Sequence, residues 1–270
     1  MRFRVLGHLG VVGDDGAVVS IPGAKERALL SVLLVHAGEV VSADRLIDAL
    51  WGEDLPGNPQ NALQHHASQL RKALGRKGLV VGRKPGYLLE VGADSVDAWR
   101  FEQLLRDGQT VLAEDPAMAF SLLTEALSLW RGTALADFAY DDFAQQEAAR
   151  LEELHLEAIE ARTQAGLALG RQAELVGELE VLAAANPLRE RLRGQQMLAL
   201  YRSGRQADAL RVYQETREAL TEQLGLDPSP ELQALYQAIL QQDASIAPVR
   251  TAPRRPRHNL PGPRDELRWT

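Results

Sequence analysis

A five-residue pattern occurs twice in this chain at a separation of 34 residues: Gly170-Arg171-Gln172-Ala173-Glu174 and Gly204-Arg205-Gln206-Ala207-Asp208. A period of that length holds one helix, a turn and a second helix, and such units bury their apolar faces by stacking on one another. Ala209 and Tyr213 fall where a unit of this kind takes a small residue and then an aromatic one, and Pro187 closes the first unit on schedule. Pro228 comes about two helical turns late, which predicts an irregular last unit. From Val96 onward about 145 residues show no strand alternation. Helices are expected over about 97–113, 116–130, 142–169, 172–185, 188–203, 205–224 and 230–241.

The first ninety residues have a different grammar. Phe3-Arg4-Val5-Leu6 and Ala17-Val18-Val19-Ser20-Ile21 read as strands, with turn chemistry at Asp14-Asp15-Gly16 between them. A helix is expected from about Ala24 to Val35, with Leu29, Leu30, Leu33 and Leu34 inward and Gly38 after its end. Ser42 can cap the next helix, while Val41 and Leu46 flank that cap as a hydrophobic staple. Leu46, Ile47, Leu50 and Trp51 share one face, and Gly52 supplies the stop.

A third helix follows, with Asn58 as its cap and Pro59 in its first turn. Leu63, Ala67, Leu70 and Leu74 form a narrow inward stripe. The opposite face carries Asn61, Gln64, His65, Ser68, Gln69 and Lys72, with Arg71 on its flank. Amides, imidazole and hydroxyl replace the Glu/Lys pairs of an ordinary solvated face, and these are the groups that read base edges and hold phosphates in a major groove. Leu79-Val80-Val81 and Tyr87-Leu88-Leu89-Glu90 then form a hairpin with the tip Gly82-Arg83-Lys84-Pro85-Gly86. A basic hairpin tip after such a helix is a wing, placed to reach the DNA backbone and minor groove.

The net charge of −7 argues against a polyanionic partner only if the chain is averaged. Residues 1–92 carry 11 Lys/Arg against 9 Asp/Glu, whereas residues 93–242 carry 13 against 25. Arg71, Lys72, Arg76, Lys77, Arg83 and Lys84 lie within fourteen residues that contain no acid. Salt screens exposed charges beyond about 8–10 Å, so this local stretch governs phosphate contact. The absence of cysteine excludes disulfides, thiolate chemistry and zinc fingers. No phosphate loop, dinucleotide fingerprint or G-x-S-x-G elbow is present. His65 and His66 point about 100° apart on a helix, a poor chelate, and His36 and His155 read as structural. No catalytic residue, metal or cofactor is assigned. No apolar run reaches membrane-span length and no signal peptide is legible, so a cytoplasmic, nucleoid-associated protein is expected.

Two resemblances sharpen this reading. Residues Gln64–Leu74, with the Arg83-Lys84-Pro85-Gly86-Tyr87 wing, resemble the winged-helix effector domain of OmpR-type response regulators. That resemblance implies that the third helix enters the major groove while Arg83 probes the minor groove. Family members often carry Arg where this chain has Ser68 and Gln69, so their base preference does not transfer. Trp99-Arg100-Phe101-Glu102, Ala126–Gly132 and Leu224–Leu232 resemble the bacterial transcriptional activation domain that follows the winged helix in Streptomyces antibiotic regulatory proteins. The 34-residue period is that of tetratricopeptide repeats.

The expected fold is therefore mainly α: a winged helix-turn-helix over 1–94, an all-α tetratricopeptide-like domain over 95–242, and a Pro/Arg-rich linker or tail over 243–270. The resemblance implies an activator of pathway genes, commonly for secondary metabolites. It binds promoter direct repeats in double-stranded DNA as head-to-tail protomers that self-associate there, and it engages RNA polymerase holoenzyme. Larger members continue from the linker into a nucleotide-binding domain. The rival reading is a helical interaction scaffold or ligand sensor whose winged helix contacts protein. A fragment of about residues 1–95 is expected to recognise DNA without the helical part.

Overall fold

The computed structural model describes residues 1–247, so most of the Pro/Arg-rich tail lies outside the described residues. Strands β1 (Arg2–Arg4) and β2 (Gly10–Val12) pair antiparallel with Phe3 opposite Val11. The strand expected over Ala17–Ile21 does not form. Val18 makes one isolated bridge to Val12 and is 81% exposed. The Asp14-Asp15-Gly16 turn closes through the amides of Gly13 and Gly16, and the chain then leaves the ladder so that Ile21 can enter the core.

Helix α1 (Ala24–Val35) lies within its expected bounds, and α2 (Ala43–Trp51) starts where Ser42 Oγ accepts the Arg45 amide. Val41 and Leu46 are both buried beside that cap, and Gly52 ends α2 with a φ of 52°. Helix α3 (Pro59–Leu74) leads into the hairpin of β4 (Val80–Arg83) and β5 (Gly86–Leu89). A short strand that the sequence did not announce, β3 (Val40–Ser42), pairs with β5 and gives the sheet order β3-β5-β4.

Seven helices follow within a few residues of expectation: α4 (Asp97–Val111), α5 (Pro116–Ser128), α6 (Asp142–Ala168), α7 (Gln172–Ala185), α8 (Glu190–Arg202), α9 (Gln206–Leu224) and α10 (Pro230–Leu240). The repeated pentapeptide is a repeated structure. Gly170 and Gly204 end their helices with φ of 72° and 81°, a conformation that a Cβ disfavours. The Arg171 amide donates to Gly166 O and the Arg205 amide to Leu200 O, both at 2.9 Å. Each arginine then clamps the acid three residues on, Arg171 on Glu174 and Arg205 on Asp208. Asp141 occupies the N-cap of α6, although its side chain makes no capping hydrogen bond.

The two sequence segments share one core. Phe3, Leu6, Leu29, Leu33, Leu70, Phe101, Leu104, Leu123 and Leu151 belong to a single buried cluster. Phe3 bridges to Val96, and the loop after β1 is stitched to the α5–α6 connection: Arg131 N–H donates to Leu6 O, Leu135 N–H to Val5 O, and Ala136 N–H to Gly7 O. Two carboxylates complete the seam. Asp97 accepts the amides of Val5 and Leu6, and Asp137 accepts the Leu9 amide at 2.7 Å while pairing with Arg27 and His8. Cutting the chain near residue 95 would bare the apolar surface of this seam and strip these amides of their acceptors.

Candidate nucleic-acid interface

Helix α3 is fixed at both ends by its own sequence. The Asn58 side chain accepts the Asn61 amide at 3.0 Å, Pro59 occupies the first turn, and Gly75 closes the helix at φ 64°. Leu63, Ala67, Leu70 and Leu74 are buried, while Asn61, Gln64, His65, Ser68, Gln69 and Lys72 are all exposed on the other side. The neighbouring imidazole takes a different role. His66 Nδ1 lies 2.9 Å from Glu26 of α1, and its ring packs at 5.7 Å from Trp51 of α2, so it ties the three helices together. Burial works to raise the Glu26 pKa, but the hydrogen bond from His66, the Glu26 amide and the charges of His66 and His65 outweigh it and hold the carboxyl below its ordinary value.

Arg71 departs from the other predicted contacts. Its Nε donates to Val80 O of β4 at 2.7 Å, and its guanidinium lies 5.4 Å from the Tyr87 ring of β5. It is a strut between α3 and the wing. Sequence reasoning missed this half of its role. The available signal was an aromatic on the second wing strand facing a basic residue near the end of the helix.

The wing is tighter than the sequence suggested. Arg83 belongs to β4 and pairs with Gly86, leaving Lys84 and Pro85 at the apex, joined by a cis bond. Arg83 and Lys84 are exposed. Gly86 is where β3 presses on the hairpin: a Cβ there would lie 1.9 Å from Val41 O. The Pro85 carbonyl also accepts the Ala43 amide at 3.1 Å, so the wing tip rests on the start of α2.

The charges are deployed differently in the two halves. Among the described residues none of Arg71, Lys72, Lys77, Arg83 and Lys84 takes part in an ion pair, and Arg76 reaches only Asp14, at 3.5 Å. In the helical half Arg150, Arg171, Arg189, Arg205 and Arg211 are each held by carboxylates. Unpaired exposed cations beside exposed amides form a surface suited to a polyanion. Lys77, part of the acid-free basic stretch, is exposed and belongs with this set. Among the described residues no cluster of three or more His, Asp or Glu is placed to hold a metal ion, and no helix is long and apolar enough to cross a membrane.

This fold is a winged-helix domain joined to an all-α tetratricopeptide-like domain. Residues 21–89 match the family described as transcriptional regulatory protein, C terminal, and residues 96–240 match the bacterial transcriptional activator domain. The regulatory protein AfsR of Streptomyces griseus is 42% identical over 248 residues, covering 92% of this chain and 25% of AfsR. The regulatory protein DnrI of Streptomyces peucetius is 37% identical over 257 residues, covering 91% of this chain and 94% of DnrI. A solved structure of Mycobacterium tuberculosis EmbR, in complex with a low-affinity phosphopeptide, superposes with a TM-score of 0.85 at 34% identity, over 92% of this chain and 66% of that one. The chain belongs to the Streptomyces antibiotic regulatory protein family, and it spans a quarter of the length of the AfsR proteins it matches.

Proposed function

We propose that this chain is a sequence-specific DNA-binding activator of a secondary-metabolite gene cluster. Residues 1–94 contact DNA, and residues 95–242 serve protomer and polymerase contacts. The observation that carries the reading is the exposed face of α3 beside an exposed wing. It combines base-reading amides with cations that have no carboxylate partner among the described residues. Asn61, Gln64, His65, Ser68 and Gln69 face base edges, whereas Lys72, Arg71, Arg83 and Lys84 engage phosphates and the minor groove. The helical half, acidic by twelve charges, is repelled by DNA and turns its stacked helices toward protein. In this reading head-to-tail protomers on promoter direct repeats present that surface to RNA polymerase holoenzyme, in the cytoplasm at the nucleoid.

A footprint on the DNA flanking its own gene, followed by in vitro transcription from that promoter, tests the reading. Protection of two direct repeats with stimulated transcription is the expected result. The rival reading, a scaffold or sensor whose winged helix contacts protein, predicts that affinity for random duplex DNA is weak and nearly independent of salt. A DNA binder must weaken steeply as salt rises.

A further inference from the structure

Far from α3, the helices α6, α8 and α10 enclose a cleft of about 630 Å³. Its walls are Leu167 and Ala168 from α6, Gly194 and Leu198 from α8, and Leu232 and Leu235 from α10. Gly194 keeps the floor open, since a Cβ there would already touch Leu232 Cδ1 at 3.4 Å and Leu235 Cδ2 at 3.6 Å. Gln195 and Arg202 of α8 are among its polar lining residues. Gln195 donates its Nε2 to the Glu160 carbonyl at 2.8 Å, yet its Oε1 is buried without a partner. Arg202 is anchored by two main-chain carbonyls, Nη1 to Leu167 at 2.9 Å and Nε to Ile246 at 3.0 Å, and among the described residues it has no carboxylate partner.

The other charges at the rim are committed or turned to solvent. Arg191 holds Gln164 and approaches Glu160, Glu190 accepts the Ser229 amide, and Glu231 is exposed on the first turn of α10. The cleft spans only three helices, and its volume falls in the ~300–1,000 Å³ range of small-ligand sites. A cleft walled by leucines, with Arg202 free of any carboxylate partner among the described residues, selects a molecule with an apolar body and an anionic group. We propose that this cleft binds a small amphipathic acid, with its apolar body between α6, α8 and α10 and its anionic group at Arg202.

The test uses the full chain and two fluorescent probes of the same shape: 1-anilinonaphthalene-8-sulfonate, which carries an anion, and N-phenyl-1-naphthylamine, which does not. The anionic probe is expected to bind saturably at one site per chain, roughly tenfold more tightly than the neutral one, the scale of one charge-assisted contact. Arg202→Gln should erase that difference, while Arg202→Lys should keep most of it. Leu198→Trp and, from the opposite wall, Leu235→Trp should each fill the cleft and abolish binding of both probes. Circular dichroism selects the variants that fold. Val181→Asp, on the exposed face of α7, should change nothing. Three outcomes overturn the proposal: no saturable binding by the unaltered chain, equal affinity for the two probes, or undiminished binding in the folded filled-cleft variants.

Discussion

The Asp97 carboxylate accepts the main-chain amide of Val5 at 2.8 Å, across 92 residues of sequence, and so locks the loop after β1 to the first turn of α4. Leu6 adds a second amide, and Arg131 pairs with the same carboxylate. Burial raises the Asp97 pKa, against the lowering effect of the amides and of Arg131. Its charge is thus a liability that its hydrogen bonds offset. Asp97→Asn, which keeps an acceptor oxygen, should cost less than Asp97→Ala, which orphans the amides at about 1–3 kcal/mol for each unsatisfied group. Urea denaturation of the three proteins measures the order. An Asn variant less stable than the Ala variant would make the charge, and not the hydrogen bonds, the source of the clasp.

The shared core gives a second expectation. A fragment ending near residue 95 loses the partners of Phe3, Leu6 and Leu29 and should unfold well below the full chain, with weak or no DNA binding. Thermal unfolding and a DNA titration on the same sample decide this. A fragment that melts with the full chain and binds DNA would mean that the seam adds little.

Base reading is tested on Gln64 and His65, whose side chains are exposed. Replacing either by Ala should leave the melting temperature nearly unchanged and weaken binding to the specific site by about 1–3 kcal/mol per lost base contact. Equal losses on specific and random DNA would reassign them to the backbone.

The wing separates contact from architecture. Replacing Arg83 and Lys84 together by Ala should lower the log–log salt slope of binding by about 1–2 units without unfolding the hairpin. Gly86→Ala should instead destabilise the fold, at or above the ~3 kcal/mol end of overpacking costs, because its Cβ would strike Val41 O. Calorimetry and DNA titration distinguish the two effects. A fully stable Gly86→Ala protein would show that β3 can yield.

Acid should act through Glu26. Its folded pKa lies below the ordinary 4.5, so the carboxylate stabilises the fold above that pH, and the gain is lost as pH falls through the depressed value. The stability gap between the unaltered protein and Glu26→Gln should close as pH falls through the depressed carboxyl value. Melting temperatures across pH 3–7 measure it. A gap that widens in acid would reverse the sign and refute the assignment to Glu26.

The sequence by itself determined what short-range chemistry controls. Caps at Ser42 and Asn58, stops at Gly52 and Gly75, and 3.6-residue periodicity placed α2, α3 and the later helices within a residue or two at most ends. The Leu63/Ala67/Leu70/Leu74 stripe fixed which side of α3 faces outward, because a helix can bury only one such face. The pentapeptide repeat encoded identical turns at Gly170 and Gly204, since both depend on neighbours within five residues. Tertiary structure decided whatever depends on distant partners. Strand β3 exists because β5 lies beside it, while the Val18 strand failed because no second strand covers that edge. Whether an arginine is a free cation or a strut was likewise undecidable from spacing: Arg71 and Lys72 are consecutive, yet only Arg71 has a carbonyl and an aromatic ring within reach. The seam at Asp97 and Asp137 is the clearest case. Carboxylates that receive amides from 92 residues away, at Asp97, and from 128 away, at Asp137, leave no local pattern, and they join two sequence segments into one body.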